Sequence, residues 1–426
     1  MKIQSLQLKN FRCFNNEIIR FHDKLTVLVG VNGSGKTALI EAVAMILGDI
    51  VRYAVSNEVL RYNLEHKDTT FSSKENVSIK ANFSAFNNIF SWYDPVVEES
   101  KEGFVKTKIV NYGKNSNPYF INKLISLQDV YPVIAYYSSY RLLGNAVSSG
   151  ERNFDRNRLD AYVSCFEPEV DFNRIITWLD ALDASEARSM RSGENNTDYR
   201  ELKTLREAVN KSLPGYKDFR FINVPPEFAL TRIKDEQIIT FRQLSAGYRI
   251  MFALVLDLAR RMAVANGGIF AQQGKSALES PAIVLIDEVD LHLHPSWQQT
   301  VLPSLMEIFP NTQFIVTTHS PQVLSSISSE CIRILNDGKV YGAPAGSQGA
   351  ESSRLLKRIL GVDPRPPLDP VTKTLEAYKK LVYEDKWDSE EAKKLRHYLD
   401  DVFRGEEPVL TELDLHIDNR KWELGQ

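Results

Sequence analysis

The sequence predicts an α/β protein: a mixed sheet around a phosphate-gripping turn, with an antiparallel β lobe, a helical lid insertion and a helical C-terminal extension. Three observations carry this. The glycine-rich octapeptide Gly30 to Thr37 follows the β-rich apolar run Leu25 to Val29 and opens an apolar-periodic helix from about Lys36 to Leu47. The stretch from about Phe241 to Leu335 alternates helix with buried strand, as a doubly wound sheet does. At the N-terminus, Ile3, Leu6, Leu8 and Phe11 mark a strand that further strands follow.

Along the chain, the pattern predicts strands at Ile3 to Phe14, Glu17 to Phe21 and Leu25 to Val29, then a second helix from Val51 to Lys67. Asn76 to Phe83 and Phe104 to Tyr112 read as strands around an acidic, loop-like Asn87 to Gly103. Tyr131 to Ser138 reads as a buried strand. Ser148 to Asp160 mixes Arg152, Arg156 and Arg158 with Glu151, Asp155 and Asp160; it reads as a solvated loop or as one that contacts a phosphate or a partner. Phe172 to Leu213 predicts two helices broken at Ser192 to Asn196, and strands follow at Phe219 to Val224 and Phe228 to Ile233. Gly342 to Gly349 reads as a linker into a charged helical tail. The expected divisions are 1–145 (phosphate loop and β lobe), 146–235 (mainly helical lid), 236–345 (second half of the sheet) and 346–426 (helical, partner-binding).

Composition narrows the class. The 426 residues are 43% hydrophobic and 25% charged, ordinary for a globular protein with a real core. A net charge of −3 gives no global pull towards nucleic acid, and a local basic patch stays open. No run of about 18 apolar residues predicts a membrane span, and Met1 to Gln4 opens no signal peptide. Cys13, Cys165 and Cys331 form no CxxC, which fits a reducing cytoplasm.

Four motifs carry chemistry. Gly30-Val31-Asn32-Gly33-Ser34-Gly35-Lys36-Thr37 matches G-x-x-x-x-G-K-[ST], and Ala38 continues the helix it opens. Its glycines let backbone N–H groups wrap phosphates, Lys36 reaches the β- and γ-phosphates of ATP, and the Thr37 hydroxyl is a Mg²⁺ ligand. Ile283 to Ile286 is an apolar strand ending in Asp287 and Glu288, which places Asp287 beside the Mg²⁺ and Glu288 where it polarises an attacking water. Leu244-Ser245-Ala246-Gly247-Tyr248 precedes a long helix and offers small residues and a hydroxyl at its N-terminus. Phe314 to Thr318 is another buried strand, ending in His319. His292 and His294 are two apart without further ligands around them, too few for a zinc site.

Taken in this order, the motifs resemble the ABC-type P-loop ATPases of the SMC, RecF and OLD group over most of residues 1 to 345. Leu244 to Tyr248 resembles their LSGGQ signature, with Ala246 for the first glycine and Tyr248 for glutamine. Ile3 to Phe14 is similar to the group's opening strand, and Asp290 to Pro295 stands at its D-loop. The resemblance implies ATP hydrolysis with catalytic Glu288, His319 as γ-phosphate switch and Lys36. It also implies that Ser245, Ala246 and Gly247 complete the pocket of a second subunit, in a homodimer or higher homo-oligomer. No glutamine at the Q-loop position is assigned between Tyr131 and Arg141.

Glu288 to Pro295 resembles ATPases of prokaryotic defence systems. Leu360 to Pro366 and Asp388 to Leu395 are similar to the PtuA family of Septu and of some retron systems. That implies an anti-phage subunit controlling a separate HNH nuclease, with a retron reverse transcriptase and its RNA and DNA as further partners and no membrane. No TOPRIM-type acidic pair follows His319 and the histidines form no HNH arrangement, so no nuclease is expected in the chain itself. The other readings are a RecF- or SMC-like DNA-maintenance ATPase and, less in keeping with Asp290 to Pro295, a transporter's nucleotide-binding subunit.

Overall fold

The computed structural model describes residues 1–55, 77–85, 88–94, 97–99, 105–107, 130–139, 157–167, 175–182, 185, 198–213, 215–223 and 226–424. The described chain forms two compact units, Met1–Leu355 and Leu356–Gln426.

Among the described residues, the first unit is built on a six-stranded sheet. Its strands are β3 (Leu25–Val29), β8 (Val133–Tyr137), β12 (Ala282–Ile286), β13 (Thr312–Thr317), β14 (Ile332–Asn336) and β15 (Lys339–Gly342), in the order β15-β14-β3-β13-β12-β8. The five strands from β14 to β8 run parallel, and β15 turns back antiparallel. Every residue of β3, β8, β12 and β13 is buried, which explains why these segments are mainly apolar instead of alternating. The register sets Ile286 opposite Val316 on one side and Tyr137 on the other. The carboxyl ends of β8, β12 and β13 therefore finish together, and ligands bind at that edge of such sheets.

A second, antiparallel sheet has the order β2-β1-β4-β5, from β1 (Lys2–Phe11), β2 (Phe14–Arg20), β4 (Ser78–Ala85) and β5 (Asn88–Asp94). A buried glutamine ties the two sheets. Gln313 of β13 accepts from the amide of Ile3 at 2.7 Å and donates to the carbonyls of Ile3 at 2.8 Å and His22 at 3.0 Å. Two smaller sheets follow: β6 (Val97–Glu99) with β7 (Val105–Thr107), and the meander β9 (Tyr216–Asn223), β10 (Pro226–Arg232) and β11 (Ile238–Thr240).

Three long helices belong to this unit: α1 (Lys36–Val55), α2 (Asp198–Ser212) and α3 (Ala246–Gln272). Two sequence expectations change here. Helix α1 runs unbroken to Val55, so no second helix starts at Val51. The segment expected to be loop-like between Asn87 and Gly103 contains β5 and β6, because Phe90, Trp92 and Tyr93 favour extended backbone despite the acidic neighbours. Arg152 and Arg156 lie outside the described residues. Arg158 is half-buried and already engaged within the chain. It stacks on Tyr131 with its guanidinium 3.7 Å from the ring centroid, and its Nε donates to the carbonyl of Ala265 at 2.5 Å.

Helix α3 carries a buried charged cluster. Asp257 accepts from Arg261 at 2.7 Å, from Arg260 at 3.1 Å and from the Tyr137 hydroxyl at 3.0 Å. Burial alone would raise the Asp257 pKa; Arg261 and Arg260 overcome that and hold it at about 2. Arg261 also caps the carbonyls of Ala161 and Val163. These partners satisfy charges that would otherwise be prohibitive in the interior.

Helices α4 (Pro295–Gln298), α5 (Val301–Ile308) and α6 (Pro321–Ser325) also belong to the first unit, and α7 (Ser352–Arg358) follows them in the chain. The second unit packs α8 (Pro370–Tyr383), α9 (Glu390–Phe403) and α10 (Pro408–Leu424) around Leu375, Tyr378, Val382, Leu399, Leu410 and Leu413. Arg396 of α9 pairs with Asp414 of α10, and Arg420 pairs with Asp385 at 3.0 Å. No helix among the described residues is long and apolar enough to cross a membrane.

Candidate nucleotide site

The loop Gly30 to Thr37 joins the end of β3 to the start of α1, and the N–H groups of a helix's first turn have no partner within the helix. The backbone forces glycine at two places. A Cβ on Gly30 would collide with the carbonyl of Leu335 and the hydroxyl of Ser34. Gly35 has φ 99°, and a Cβ there would lie 2.5 Å from Cys13 Sγ and 2.8 Å from Phe14 Cζ. The tip of the β1–β2 hairpin thus buttresses the loop, which gives the opening strand motif a structural role. Asn32 and Gly33 are exposed on the loop, while Ala38 is buried in α1.

Lys36 is 7% exposed, and its ammonium donates to the carbonyls of Gly30 at 2.9 Å and Val31 at 3.0 Å. Burial lowers its pKa, against the pull of Asp287 and Glu288, which raise it. Thr37 Oγ1 donates to Asp287 Oδ2 at 3.2 Å. Asp287, just past β12, is 2% exposed and also accepts from Thr317 Oγ1 at 2.5 Å. Its own N–H donates to the carbonyl of Tyr137 at 2.8 Å.

Glu288 follows with φ 51°, a left-handed conformation that costs a non-glycine residue free energy. Its N–H donates to Thr317 Oγ1 at 2.7 Å, and the N–H of Val289 to the carbonyl of Thr317 at 2.9 Å. His319 is exposed just beyond β13. Partial desolvation and then the Lys36 charge lower its pKa, while Asp290, Glu288 and Asp287 pull the other way. Asp290 is held by Thr318 Oγ1 at 2.5 Å.

The structure therefore gathers Lys36, Thr37, Asp287, Glu288 and His319 at one edge of one sheet. It gives Ser245, Ala246 and Gly247 other neighbours. Ser245 caps α3 without a side-chain cap hydrogen bond. A Cβ on Gly247 would stand 2.6 Å from the carbonyl oxygen of His292. Tyr248 packs edge-on against Trp297, ring centroids 4.2 Å apart. The turn at 245–248 is thus fitted to the segment 292–297 of its own chain. Sequence reasoning passed over Thr317 and Thr318, whose only signal is two hydroxyls directly before His319 at the end of an apolar strand.

The residues fit a triphosphate and a hard divalent cation. The loop is closed to a Cβ at Gly30 and Gly35. The Ser34 hydroxyl is buried with no hydrogen-bond partner among the described residues, and the Thr37 and Asp287 oxygens are the donor type Mg²⁺ prefers. His292 and His294 join no group of potential metal ligands among the described residues.

A phosphate loop after β3, an acidic end on β12, a histidine after the strand between them and an antiparallel lobe define the SMC-head and RecF-like ABC ATPase fold. The chain belongs to the family described as RecF/RecN/SMC N terminal domain, whose model matches residues 2–340. It is 29% identical to a protein of Escherichia coli described as "Retron Ec83 probable ATPase", over 99% of this chain and 88% of that one. It is 25% identical to "Retron Vc95 probable ATPase" of Vibrio cholerae serotype O1 biovar El Tor, over 79% of this chain and 74% of that one. A shorter match, 31% identical over 29% of this chain and 33% of the other, is to "Septu protein PtuA" of Bacillus thuringiensis.

Proposed function

We propose that this chain binds and hydrolyses ATP as the ATPase subunit of an anti-phage defence complex, and that ATP governs a separate HNH nuclease partner. The observation that carries the ATPase part is the convergence of Lys36 and Thr37 with Asp287 and Glu288, drawn from segments about 250 residues apart and linked by the Thr37–Asp287 hydrogen bond. The likeness to a retron ATPase along 99% of the chain supports the defence part.

Mg²⁺, when bound, would neutralise charge on the phosphate oxygens. Thr37 and Asp287 would hold it. The Lys36 ammonium, now resting on two loop carbonyls, would exchange them for phosphate oxygens. Glu288 would take a proton from the attacking water, and His319, whose cation is disfavoured by burial and by Lys36, would sense the γ-phosphate. Ser245, Ala246 and Gly247 would close the pocket of a second copy in a head-to-tail homodimer or larger homo-oligomer, and hydrolysis would release it. The lid (146–235) and the helical unit would carry that change to the nuclease, and a reverse transcriptase with its nucleic acid would complete a retron assembly in the cytoplasm.

The experiment is ATP turnover by the purified chain with and without the product of its neighbouring gene. ATP hydrolysis by the chain alone, with nucleic-acid cleavage only after the neighbour is added, is the expected result. Cleavage by the chain alone would end the partner reading. The second reading, a RecF- or SMC-like DNA-maintenance ATPase, draws on the family match over 2–340. ATP-dependent duplex binding with a steep salt dependence, and no effect on phage infection, would favour it.

A further inference from the structure

We infer that Thr317 is a positioning residue of the ATPase site, a clamp that fixes the Asp287 carboxylate and the Glu288 backbone at the end of β12; the inference rests on the ATPase reading above. Thr317 is the last residue of β13, the strand between the phosphate-loop strand β3 and the acidic strand β12, and it is fully buried. A hydroxyl has one donor and two acceptor lone pairs. Here the donor goes to Asp287 Oδ1 at 2.5 Å, and a lone pair takes the N–H of Glu288 at 2.7 Å.

The two bonds do different jobs. With one oxygen of Asp287 taken by Thr317 and the other 3.2 Å from Thr37, the carboxylate is fixed in rotation, as a metal-binding carboxylate needs. The bond from Glu288 N–H, with that from Val289 N–H to the Thr317 carbonyl, secures the left-handed turn at Glu288. Local backbone strain persists where neighbours over-determine it, often at functional sites. A single hydroxyl thus sets the carboxylate that would face the cation and the backbone that aims the general base. Valine has the same shape and β-branching but offers neither bond, so Thr317→Val separates the hydroxyl from packing.

The test uses the full chain with Thr317→Val and Thr317→Ser. In Thr317→Val, amide hydrogen exchange of Glu288 and Val289 without nucleotide should rise by about 10-fold or more. The Mg²⁺ concentration that half-saturates tightening of ATP binding should rise about 10-fold, and kcat should fall on the order of 10²-fold with ATP affinity in EDTA unchanged. Thr317→Ser, which restores the hydroxyl, should return all three to within about 3-fold of wild type. Wild-type exchange and Mg²⁺ dependence in Thr317→Val would overturn the inference. So would a serine variant as impaired as the valine one. A wild-type chain that binds Mg²⁺·ATP but never hydrolyses it would sink the ATPase reading instead, and exchange and Mg²⁺ dependence would still judge the clamp.

Discussion

The hydroxyl of Thr37 stands 3.2 Å from Oδ2 of Asp287, joining residues 250 positions apart at the point where β3 hands over to α1 and β12 ends. This contact joins the segments that follow β3 and β12, the strands on either side of β13, into one site. Thr37→Val should leave the fold intact, because Thr37 is exposed, and should abolish the Mg²⁺-dependent part of ATP binding. Titration of a fluorescent ATP analogue with and without Mg²⁺ measures it. An undiminished Mg²⁺ effect would show that Thr37 is not a ligand.

Glu288→Gln should preserve ATP binding and lower turnover by roughly 10²- to 10⁴-fold, the usual worth of a general base. Lys36→Ala should instead weaken binding, since the ammonium lies inside the loop that would grip the phosphates. Equilibrium binding and steady-state turnover of both variants separate the two roles. Retained turnover in Glu288→Gln would reassign the base.

The His319 imidazole should titrate below the ordinary histidine range, because burial and the neighbouring Lys36 charge both disfavour its cation. With a folded pKa below the unfolded one, His319 favours the fold above the unfolded pKa and loses that contribution as pH falls towards the folded pKa. NMR titration of the ring protons should show the midpoint rising in Lys36→Ala and falling further in Asp290→Asn. Unmoved midpoints would place the histidine away from both groups.

Gly247→Ala tests the fit between the signature turn and the following loop. The added Cβ would meet the His292 carbonyl, backbone that cannot swing aside, at 2.6 Å. The expected cost is about 1–3 kcal/mol of overpacking, read as a lower thermal midpoint, with turnover reduced more than ATP binding. Unchanged stability and turnover would mean that the turn is looser than it stands here.

Asp257→Asn should destabilise the first unit by about 3–5 kcal/mol, because the buried guanidinium groups of Arg260 and Arg261 would lose the carboxylate between them. The carboxylate's folded pKa of about 2 lies below its reference value of 3.8. Its contribution is therefore present above about pH 4 and drains away as the pH falls towards 2. Denaturant unfolding at neutral and acid pH should show the variant's deficit shrinking on acidification. A deficit under about 1 kcal/mol at neutral pH would contradict the burial of this cluster.

The parts of this architecture legible in sequence were those with local signals. The buried strands β3 and β12 show as short, mainly apolar runs, and the loop Gly30 to Thr37 shows by its glycines between a strand and a helix. Lys36, Thr37, Asp287, Glu288 and His319 stood out because each ends or begins such an element. What stayed hidden depends on distant neighbours. Thr317 in a strand passes for β-branched filler until Asp287, 30 positions away, is placed beside it. Arg158 reads as one charge in a polar run until Tyr131 and Ala265 surround it. Asp257 and Arg261, four apart on a helix, look like a solvated pair, and only burial turns them into a core cluster.

The place of β3 in its sheet has a consequence for how the protein is made. Its two neighbours, β13 and β14, begin at Thr312 and Ile332, so a ribosome releases nearly three hundred residues after β3 before either edge can pair. Until then the phosphate loop has no acidic partner opposite it, and the strand waits with both edges open, a state that invites aggregation and favours chaperone help. Nucleotide should therefore gain its grip only once β13 and β14 have been made and can pair with β3.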